Sequence, residues 1–474
     1  MCGIIGVISK ARDVIGDGIV LLGAENHRGG QSCGGATYDG KKLHHYYGEG
    51  KVSEVFGRRD QKKWSKLVGS VCTLHTLYST VGKNNGEKQP MTRQPVIFKH
   101  CGLKGAISHN GNIIGLDELR ELAKKGGYKK FKSETSDTEV VAALLSISKE
   151  EDFLKALIEV LKKIEGKGSF SFVILYEGKL YGVRDQNGIR PLCIIKKNGK
   201  GGDCDSYIFA SESSVFPALD ATRFVRNVDI GEIVVLGPDG IERSVKWTEN
   251  VSWKFCICEF IYFANPASRF FGKSVYSFRV KAGEKSAKKH PVKADVVVPI
   301  PESGRGYSDG FSSESGIVNR QGLIKYRDTV RTFMQPREID RSMSQISKLQ
   351  AIPDVMDGQD VCLVEDSVFR GSVAPAVVKM SREHGCARGV HLRICSPPVC
   401  HCCHLGLDTS TKKELVASHM TVQEIRDKII HSDSLEFLSV EELKEVLTEI
   451  GLFPDNFCMG CFTGEYPVTP SKRR

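Results

Sequence analysis

The sequence predicts a chain of two successive domains, of mixed α+β and α/β class, and three observations support this. At 474 residues the chain is too long for one ordinary hydrophobic core, so two domains of roughly 200 residues each are expected. The first half of the sequence is typical of strands with a few helices. The second half alternates strands with helices, which is the order found in parallel sheets.

A hairpin and an amphipathic helix are the clearest elements of the first half. The apolar runs 170–176 and 179–183 are joined by Glu177 and Gly178, which is a hairpin pattern. Across residues 152–164, apolar side chains recur at the spacing of a helix. Both elements belong to an ordered domain with its own core.

The boundary between the domains is expected after a strand-like run at 231–236. Turn-forming residues at 237–240 follow this run and form a natural domain edge. We therefore expect a first domain over residues 2–240 and a second over residues 255–474.

The second half shows the order of strand, loop, helix and strand that parallel sheets require. Short apolar strands are predicted at 294–300, 361–364 and 390–394, and a helix is predicted over 374–384. Two more helices are predicted near the end from capping boxes, which pair Thr421 with Glu424 and Ser439 with Glu442.

Composition and charge exclude several classes of protein. Hydrophobic residues make up 40% and charged residues 26% of the chain, as in soluble globular proteins. No apolar run approaches the roughly 18 residues of a membrane span, and residues 1–8 lack a basic leader, so a cytoplasmic protein is expected. The net charge of +10 is spread along the chain without a nucleic-acid-binding pattern. A mildly basic surface is a simpler interpretation than nucleic-acid binding, and a local site for anionic small molecules is compatible with either.

Sixteen cysteines are many for a chain of this kind. In a cytoplasmic protein they indicate metal ligands or catalysis more often than disulfides. Some lie in apolar runs and are expected in the core, namely Cys72, Cys193 and Cys362. Six others crowd the C-terminal end, namely Cys395, Cys400, Cys402, Cys403, Cys458 and Cys461.

Cys2 follows the initiator methionine and is a candidate nucleophile. Removal of Met1 would expose the α-amino group of Cys2, whose ordinary pKa lies near ~8. That amine can act as the base for the adjacent thiol. The dipeptide alone is weak evidence, because many chains begin with Met-Cys by chance.

Several motifs accompany Cys2 in a fixed order along the first half. They are Cys2-Gly3-Ile4-Ile5-Gly6, His27-Arg28-Gly29, His75 to Thr80, His109-Asn110-Gly111-Asn112, Ser136-Asp137-Thr138-Glu139 and Arg184 to Leu192. Together they resemble class II, N-terminal-nucleophile glutamine amidotransferases. The resemblance implies a four-layered αββα sandwich that hydrolyses glutamine.

The resemblance also implies roles for individual residues. Cys2 is the implied nucleophile, and Asn110 with Gly111 forms the implied oxyanion hole. Asp137 would bind the α-amino group of glutamine, and the remaining residues expected near glutamine are Arg28 and Tyr78.

One position departs from the pattern of the family. The family has His-x-Arg-Tyr-Ser-Thr where this chain has Leu77 after His75-Thr76. The family arginine clamps the glutamine α-carboxylate by a bidentate, charge-assisted contact. Either another base takes over, such as Arg28 or Lys83, or glutamine binding is weak. Losing such a contact costs ~2–5 kcal/mol.

A second candidate centre follows the strand that ends in Glu365 and Asp366. Two acids, a short loop over 367–372 and the start of a helix can hold ribose hydroxyls, a metal ion and a phosphate. An acidic turn before a helix is the simpler interpretation of Glu-Asp alone.

The wider pattern around this loop resembles amidophosphoribosyltransferases, which are type I phosphoribosyltransferases, over nearly the whole chain. The matching segments are 299–304, 325–336, 348–349, 362–372 and 395–398. The resemblance implies a magnesium site, formed by Ser303, Glu365 and Asp366. It also implies that phosphoribosyl pyrophosphate is held by Glu365, Asp366, Ser367, Arg370, Gly371, Ser372, Lys325, Arg327 and Lys348.

This second pattern also contains departures. The family has Asp-Asp where this chain has Glu365-Asp366, and Asp where it has Glu302. It has Thr-Thr where this chain has Ser372-Val373, so one hydroxyl donor to phosphate is missing. These changes affect phosphate affinity or substrate choice.

Four cysteines match the ligand pattern of an iron–sulphur-containing branch of this family. They are Cys256, Cys403, Cys458 and Cys461, and a [4Fe-4S] cluster is the implied cofactor. Zinc is the rival, because four thiolates suit both. Neighbouring Cys258, Cys400 and Cys402 are alternative ligands.

The function implied by the resemblance couples the two centres. Glutamine is hydrolysed at Cys2, and ammonia then attacks phosphoribosyl pyrophosphate to give phosphoribosylamine, pyrophosphate and glutamate. Alternatives are an ammonia-dependent or specialised relative, motivated by Leu77 and Val373, and a non-catalytic regulatory homologue. Further implied partners are purine nucleotide inhibitors and other copies of the chain in a homotetramer.

Overall fold

Two antiparallel sheets build the first half of the chain, and a parallel sheet builds the second half. The structure is a computed structural model. It describes residues 1–10, 13–78, 93–131, 135–199, 204–325, 349–371, 373–409 and 411–468. The strand pairing therefore changes from antiparallel in the first half to parallel in the second.

The seven-stranded sheet places the N-terminal strand near its middle. Its strands, in spatial order, are Thr222–Asn227, Cys193–Lys197, Ser206–Ala210, Gly3–Ser9, Val71–Leu77, Ser32–Tyr38 and Leu43–Glu49. The six-stranded sheet contains, in spatial order, Gly240–Lys246, Glu232–Gly237, Lys179–Arg184, Gly168–Tyr176, Leu103–Ile113 and Val96–His100.

The two sheets pack face to face, and helices cover their outer faces. Ile4 and Ile8 of one sheet share a buried core with Val173 and Val234 of the other. The helix Ile15–Ala24 packs on the seven-stranded sheet. The six-stranded sheet is covered by Leu116–Lys125, Asp137–Ile147 and Phe153–Ile164. The layers therefore follow the expected αββα order.

Local sequence explains several of these elements. The predicted hairpin is confirmed, and its two turn residues, Glu177 and Gly178, have φ angles of 46° and 71°. The predicted helix is confirmed as Phe153–Ile164. Its N-cap residue Asp152 accepts hydrogen bonds from the main-chain N–H groups of Leu154 and Lys155.

The turn at 237–240 lies inside the six-stranded sheet. It joins Glu232–Gly237 to Gly240–Lys246, and these two strands pair with each other. The strands of the first half therefore continue to Lys246, six residues beyond the expected edge, because hairpin turns and domain edges use the same residue types.

The four-stranded sheet of the second half is parallel throughout. Its strands, in spatial order, are Val296–Pro299, Asp360–Glu365, Gly389–Ile394 and Ser434–Phe437. The longer helices around it are Val275–Lys289, Arg305–Ser315, Val373–Glu383 and Val440–Glu449. Val297 and Val298 point to opposite faces of the sheet and enter two different cores. The predicted α/β half is confirmed.

Shorter elements complete the described chain. The two predicted capping boxes are present at Thr421 and Ser439. The remaining α-helices are Val52–Val55, Gln61–Trp64, Pro353–Met356, Val422–Glu424 and Gly460–Thr463. The π-helices are Glu259–Phe263 and Ile425–Ile430, and the 3-10 helices are Asn26–Arg28, Arg58–Asp60, Ser213–Ala218, Lys412–Glu414, Val416–Ser418 and Pro454–Asn456.

Three pairs of short strands lie outside the large sheets. They are Phe255–Cys256 with Phe457–Cys458, Arg269–Phe270 with Lys273–Ser274, and Leu323–Lys325 with Leu349–Ala351. Within the part of the chain that the structure describes, no helix has the length and apolar character needed to cross a membrane.

Candidate functional site

Cys2 directly precedes the central strand Gly3–Ser9, and its main chain is bonded by the side chains of Asn110 and Arg28. Its main-chain N–H donates to Asn110 Oδ1 at 3.0 Å, and its carbonyl oxygen accepts from Arg28 Nε at 3.0 Å. Its Sγ lies 3.9 Å from the carbonyl oxygen of Tyr78. The structure therefore brings together four of the residues that the sequence predicts around the first centre.

Asn110 offers a hydrogen-bond donor beside Cys2. Its Oδ1 is used by Cys2, whereas its buried Nδ2 has no hydrogen-bond partner among the described residues. A buried donor without a partner is costly, so an unused amide next to a thiol is suited to a negative oxygen. Gly111 follows, and a Cβ atom there would collide with the carbonyl oxygen of Ser169. Glycine at 111 therefore lets the strands approach closely.

Asp137 is the first residue of the helix Asp137–Ile147. Its Oδ2 accepts from the main-chain N–H of Ile113 at 3.0 Å, and its Oδ1 accepts from that of Thr138 at 2.7 Å. Burial alone would raise the pKa of Asp137, but neighbouring His109 and the main-chain donors hold that pKa below its ordinary value. The carboxylate therefore stays ionised at neutral pH and can bind an ammonium group.

Arg28 supports the main chain of Cys2 from the inside of the protein. Besides Cys2, its fully buried guanidinium contacts Glu212 and both carboxylate oxygens of Glu259, at 3.0 Å and 2.9 Å. These contacts occupy Nε, Nη1 and Nη2, so Arg28 is not free to replace the clamp that is missing at Leu77. Lys83, the other candidate, lies outside the described residues.

The second centre lies at the carboxyl edge of the parallel sheet. Glu365 ends the strand Asp360–Glu365, and its Oε1 accepts from Ser303 Oγ at 3.2 Å and from the main-chain N–H of Asp366 at 2.9 Å. Ser367 Oγ in turn donates to Asp366 Oδ1. Ligands of α/β proteins bind at this edge of the sheet.

The two acids of this centre lie side by side, with Asp366 buried and Glu365 half-buried. Burial, together with repulsion from Asp366, raises the pKa of Glu365 well above its ordinary value, and burial also raises the pKa of Asp366. A cation bound here would relieve that repulsion. The donor set of two carboxylates and the hydroxyl of Ser303 fits magnesium, which prefers oxygen ligands.

Arg370 lies on the loop between the acids and the helix Val373–Glu383. Its Nε donates to Glu414 Oε2 at 2.8 Å and its Nη2 to the carbonyl oxygen of Asp408 at 2.9 Å, contacts that the sequence did not reveal. The neighbouring Gly371 has a φ angle of 63°, which favours glycine.

The residues predicted to bind pyrophosphate are only partly described. Lys325 ends the strand Leu323–Lys325 and is exposed. The predicted residues Arg327, Lys348 and Ser372 lie outside the described residues.

The cysteines predicted as ligands gather between the two halves of the chain. Cys256 and Cys458 are partners in a short parallel strand pair. Cys258 Sγ lies 3.7 Å from Cys461 Sγ. Burial raises the pKa of the Cys403 thiol, and nearby Cys256 raises it further. The structure thus brings together all four predicted ligands and places the alternative Cys258 beside them.

The donor set of this cysteine centre is sulphur. In the described ranges, no group of three or more His, Cys, Asp or Glu side chains has the arrangement that a single metal ion needs. By donor type alone, clustered thiols without carboxylate donors suit an iron–sulphur cluster or zinc. We define the cysteine centre as Cys256, Cys258, Cys403, Cys458 and Cys461.

Three charged residues near Cys2 were given no role by the sequence. Glu212 and Glu259 bind Arg28, and fully buried Arg190 has its Nη1 at 3.5 Å from Glu259 Oε1. Arg190 belongs to a motif that the sequence did single out, between Arg184 and Leu192. Nothing in the sequence marked either glutamate, because each lies far from Arg28 along the chain.

Comparison with known proteins covers both halves of the chain. Residues 79–218 match a family described as a glutamine amidotransferase domain. The amidophosphoribosyltransferase of Methanocaldococcus jannaschii is 39% identical, over 99% of this chain and 98% of its own length. The chloroplastic amidophosphoribosyltransferase of Vigna aconitifolia is 37% identical, over 99% of this chain and 92% of its own length.

Solved structures agree with these relatives. A glutamine phosphoribosylpyrophosphate (PRPP) amidotransferase from B. subtilis, in complex with ADP and GMP, is 33% identical. The two chains superpose with a TM-score of 0.86, over 99% of this chain and 98% of the other. Since identity at this level extends over the full length of both halves, this chain belongs to the amidophosphoribosyltransferase family.

Proposed function

We propose that this chain releases ammonia from glutamine at Cys2 and transfers it to phosphoribosyl pyrophosphate at the edge of the parallel sheet. The products would be phosphoribosylamine, pyrophosphate and glutamate. The observation that carries the proposal is the pairing of Cys2 with Asn110, whose Nδ2 is left without a partner, in a chain that also holds Glu365 beside Asp366. This is the first committed step of purine synthesis.

In the glutaminase half, the Cys2 thiol would attack the side-chain carbonyl of glutamine. Asn110 Nδ2 and the main chain at Gly111 would stabilise the negative oxygen of the tetrahedral intermediate. Ammonia would leave, and water would hydrolyse the thioester to glutamate. Asp137 would bind the α-amino group, and Tyr78 would line the same pocket.

The base of this reaction is proposed to be the α-amino group of Cys2 after removal of Met1. Met1 is buried, and burial lowers the pKa of its α-amino group to about 5. The α-amino group of Cys2, once freed and in its neutral form, can accept the thiol proton. Arg28, through the Cys2 carbonyl oxygen, would keep amine and thiol in place.

In the transferase half, the acids would hold the ribose. Glu365 and Asp366, with Ser303, would also bind magnesium, which supplies positive charge to the departing pyrophosphate. The 5′-phosphate would be held by the loop that follows, through Ser367, Arg370, Gly371 and Ser372. Pyrophosphate would be neutralised by Lys325, Arg327 and Lys348.

The cysteine centre is proposed to carry a [4Fe-4S] cluster, with zinc as the alternative. The expected ligands are Cys256, Cys403, Cys458 and Cys461, and the donor set supports either group. The proposed role is structural, since the cysteines lie between the two halves of the chain.

Regulation and assembly are proposed from the relatives. The B. subtilis relative was solved in complex with ADP and GMP, so purine nucleotides are proposed to inhibit this chain. A homotetramer is the proposed assembly. A cytoplasmic location is proposed because all sixteen cysteines are free thiols, as in reducing compartments.

The proposed function is tested by pyrophosphate release from phosphoribosyl pyrophosphate and magnesium, using protein purified without oxygen. We expect release with either glutamine or ammonium chloride as the nitrogen source. Release with ammonium alone would favour the second candidate, an ammonia-dependent or specialised relative, for which Leu77 is the specific observation. Release with neither source would contradict both candidates.

Substituting Leu77→Arg is expected to strengthen glutamine binding. Leu77 ends the strand that runs beside Cys2, and an arginine there could form a bidentate contact with the α-carboxylate. The KM for glutamine is expected to fall at least about tenfold, which is about 1.4 kcal/mol. Ammonia-dependent rates should stay unchanged. Leu77→Met is the matched control, and an equal KM in both variants would refute the prediction.

Substituting Cys458→Ser is expected to remove the metal group and destabilise the fold. Since metal binding contributes directly to folding, a loss of at least ~3 kcal/mol is expected, or roughly 6–12 °C in the Tm of a unit of this size. Iron, sulphide and zinc analysis and a melting curve are the measurements. Cys386→Ser, at an exposed thiol outside the cysteine centre, is the control. Unchanged metal content in Cys458→Ser would exclude this residue as a ligand.

A further inference from the structure

Arg190 lies between the nucleophile and the cysteine centre. It is fully buried, its Nη1 contacts Met1 Sδ and lies 3.5 Å from Glu259 Oε1, and its Nη2 donates to the carbonyl oxygen of Leu405. Leu405 is in turn bonded to the cysteine centre, since its main-chain N–H donates to Cys403 Sγ. The guanidinium is therefore one residue removed from the cysteine centre.

Glu259 extends this contact to Cys2. Its carboxylate accepts from both amino groups of Arg28, and Arg28 Nε donates to the carbonyl oxygen of Cys2. Glu259 directly follows Cys258 along the chain. Arg190, Glu259 and Arg28 thus form a continuous buried chain of charges from the cysteine centre to the main chain of the nucleophile.

A second connection runs through residues 404–406, which follow Cys403. The carbonyl oxygen of His404 accepts from Asn112 Nδ2 at 2.8 Å, and that of Leu405 accepts from Ser169 Oγ at 2.9 Å. A Cβ atom at Gly406 would lie only 3.4 Å from the carbonyl carbon of Gly111.

This segment is also tied to the cysteine centre. The main-chain N–H of Leu405 donates to Cys403 Sγ at 3.3 Å. The segment that carries one cysteine therefore packs directly on the strand that carries Asn110 and Gly111.

We propose that Arg190 is a positioning residue for glutamine hydrolysis. Together with residues 404–406, it transmits the geometry of the cysteine centre to Cys2 and to the oxyanion donors. The inference rests on the proposed function of Cys2. It adds that the geometry of the cysteine centre controls the rate of glutamine hydrolysis. The ammonia reaction at the parallel sheet does not depend on Arg190.

The physical reason is the sensitivity of catalysis to small displacements. A shift of about 1 Å in a reacting group can cost roughly 100-fold in rate. Both the carbonyl of Cys2 and the side chain of Asn112, next to Gly111, are held by contacts that lead to the cysteine centre. The transferase centre is built separately, from the ends of parallel strands at Ser303 and Glu365.

The test compares Arg190→Gln with wild-type protein, each purified without oxygen. We expect kcat/KM for glutamine to fall roughly 100-fold, and ammonia-dependent pyrophosphate release to stay within about twofold. Alkylation of Cys2 by a diazoketone analogue of glutamine, followed by mass spectrometry, should slow to a similar degree. Metal content per chain is measured in the same samples. Arg190→Lys, which keeps the charge, should recover part of the alkylation rate.

Controls separate positioning from general destabilisation. Arg393→Gln removes another buried arginine, one that bonds Ser434 and the carbonyl of His290, and should lower the Tm without changing the ratio of the two activities. If Arg190→Gln does not fold, Asn112→Leu cuts the bond to His404 and carries the same prediction. An equal fall of both activities, or unchanged alkylation of Cys2 in a variant that folds, would overturn the proposal. Wild-type protein that does not turn over glutamine would instead refute the proposed function. The alkylation rates would still test the role of Arg190, because alkylation of Cys2 does not require turnover.

Discussion

Cys2→Ala is expected to abolish the glutamine-dependent reaction and to leave the ammonia-dependent reaction intact. The substitution removes the only atom proposed to attack glutamine, so the loss in kcat should be roughly four to six orders of magnitude, as for other nucleophiles. Ammonia supplied in solution does not need the thiol. Pyrophosphate release measured with each nitrogen source in turn gives both numbers from one preparation.

Cys72→Ala is the matched control, because Cys72 is a buried thiol in the strand next to Cys2 and contacts neither centre. It should lower stability by about 1 kcal/mol and keep both activities. If Cys2→Ala still used glutamine, another nucleophile would have to act, and the assignment of Cys2 would be wrong.

Asp366→Asn is expected to abolish transfer with both nitrogen sources. It keeps the shape of the side chain but removes one of the two charges proposed to face ribose and magnesium. Electrostatic stabilisation by such a site contributes several kcal/mol, so a loss of roughly 10²–10⁴-fold is expected. Steady-state release of pyrophosphate with ammonium chloride measures the effect without involving Cys2.

Asp360→Asn provides the control at the opposite end of the same strand. Asp360 forms an exposed ion pair with Arg388, at 2.7 Å, far from the acids at the carboxyl edge. Its loss should leave transfer unchanged, since exposed pairs contribute little. If Asp366→Asn kept full activity with ammonium, the ribose site could not lie at this edge of the sheet.

Local patterns in the sequence were sufficient to predict most of the fold. The hairpin around Gly178 and the helix capped by Asp152 depend on residues that are neighbours in the chain, so periodicity and turn chemistry reveal them. The domain edge expected at 240 stays a prediction, because turn residues serve domain edges and hairpins alike. The glycines there close a hairpin inside a sheet, and only the pairing of strands distinguishes these two uses.

Motifs predicted the positions of the site residues, and the structure added their connections. Cys2 and Asn110 are 108 residues apart but meet through one hydrogen bond, as the resemblance implied. The partners of Arg28 could not be predicted, because Glu212 and Glu259 lie 184 and 231 residues away and belong to no recognised pattern. Long-range ion pairs depend on tertiary packing, which leaves no periodic trace in the sequence.

Arg370 illustrates the same limit within the transferase centre. The motif places it on the loop after Asp366, but its bonds to Glu414 and Asp408 come from a segment about forty residues further along. The cysteine centre behaves differently, since the resemblance to the iron–sulphur branch of the family implied four ligands and named Cys258 as an alternative. The structure places Cys258 Sγ 3.7 Å from Cys461 Sγ.

One chain is proposed to make ammonia at Cys2 and to use it at Glu365 and Asp366. This is tested by supplying glutamine labelled in its amide nitrogen with a heavy isotope, with no ammonium added, and trapping the phosphoribosylamine for mass spectrometry. The trapped product is expected to carry the heavy isotope in wild-type protein and to be missing in Cys2→Ala. Glutamate formed without labelled phosphoribosylamine, by protein that does use ammonium chloride, would contradict the proposal, because ammonia made at Cys2 would then not reach the second centre.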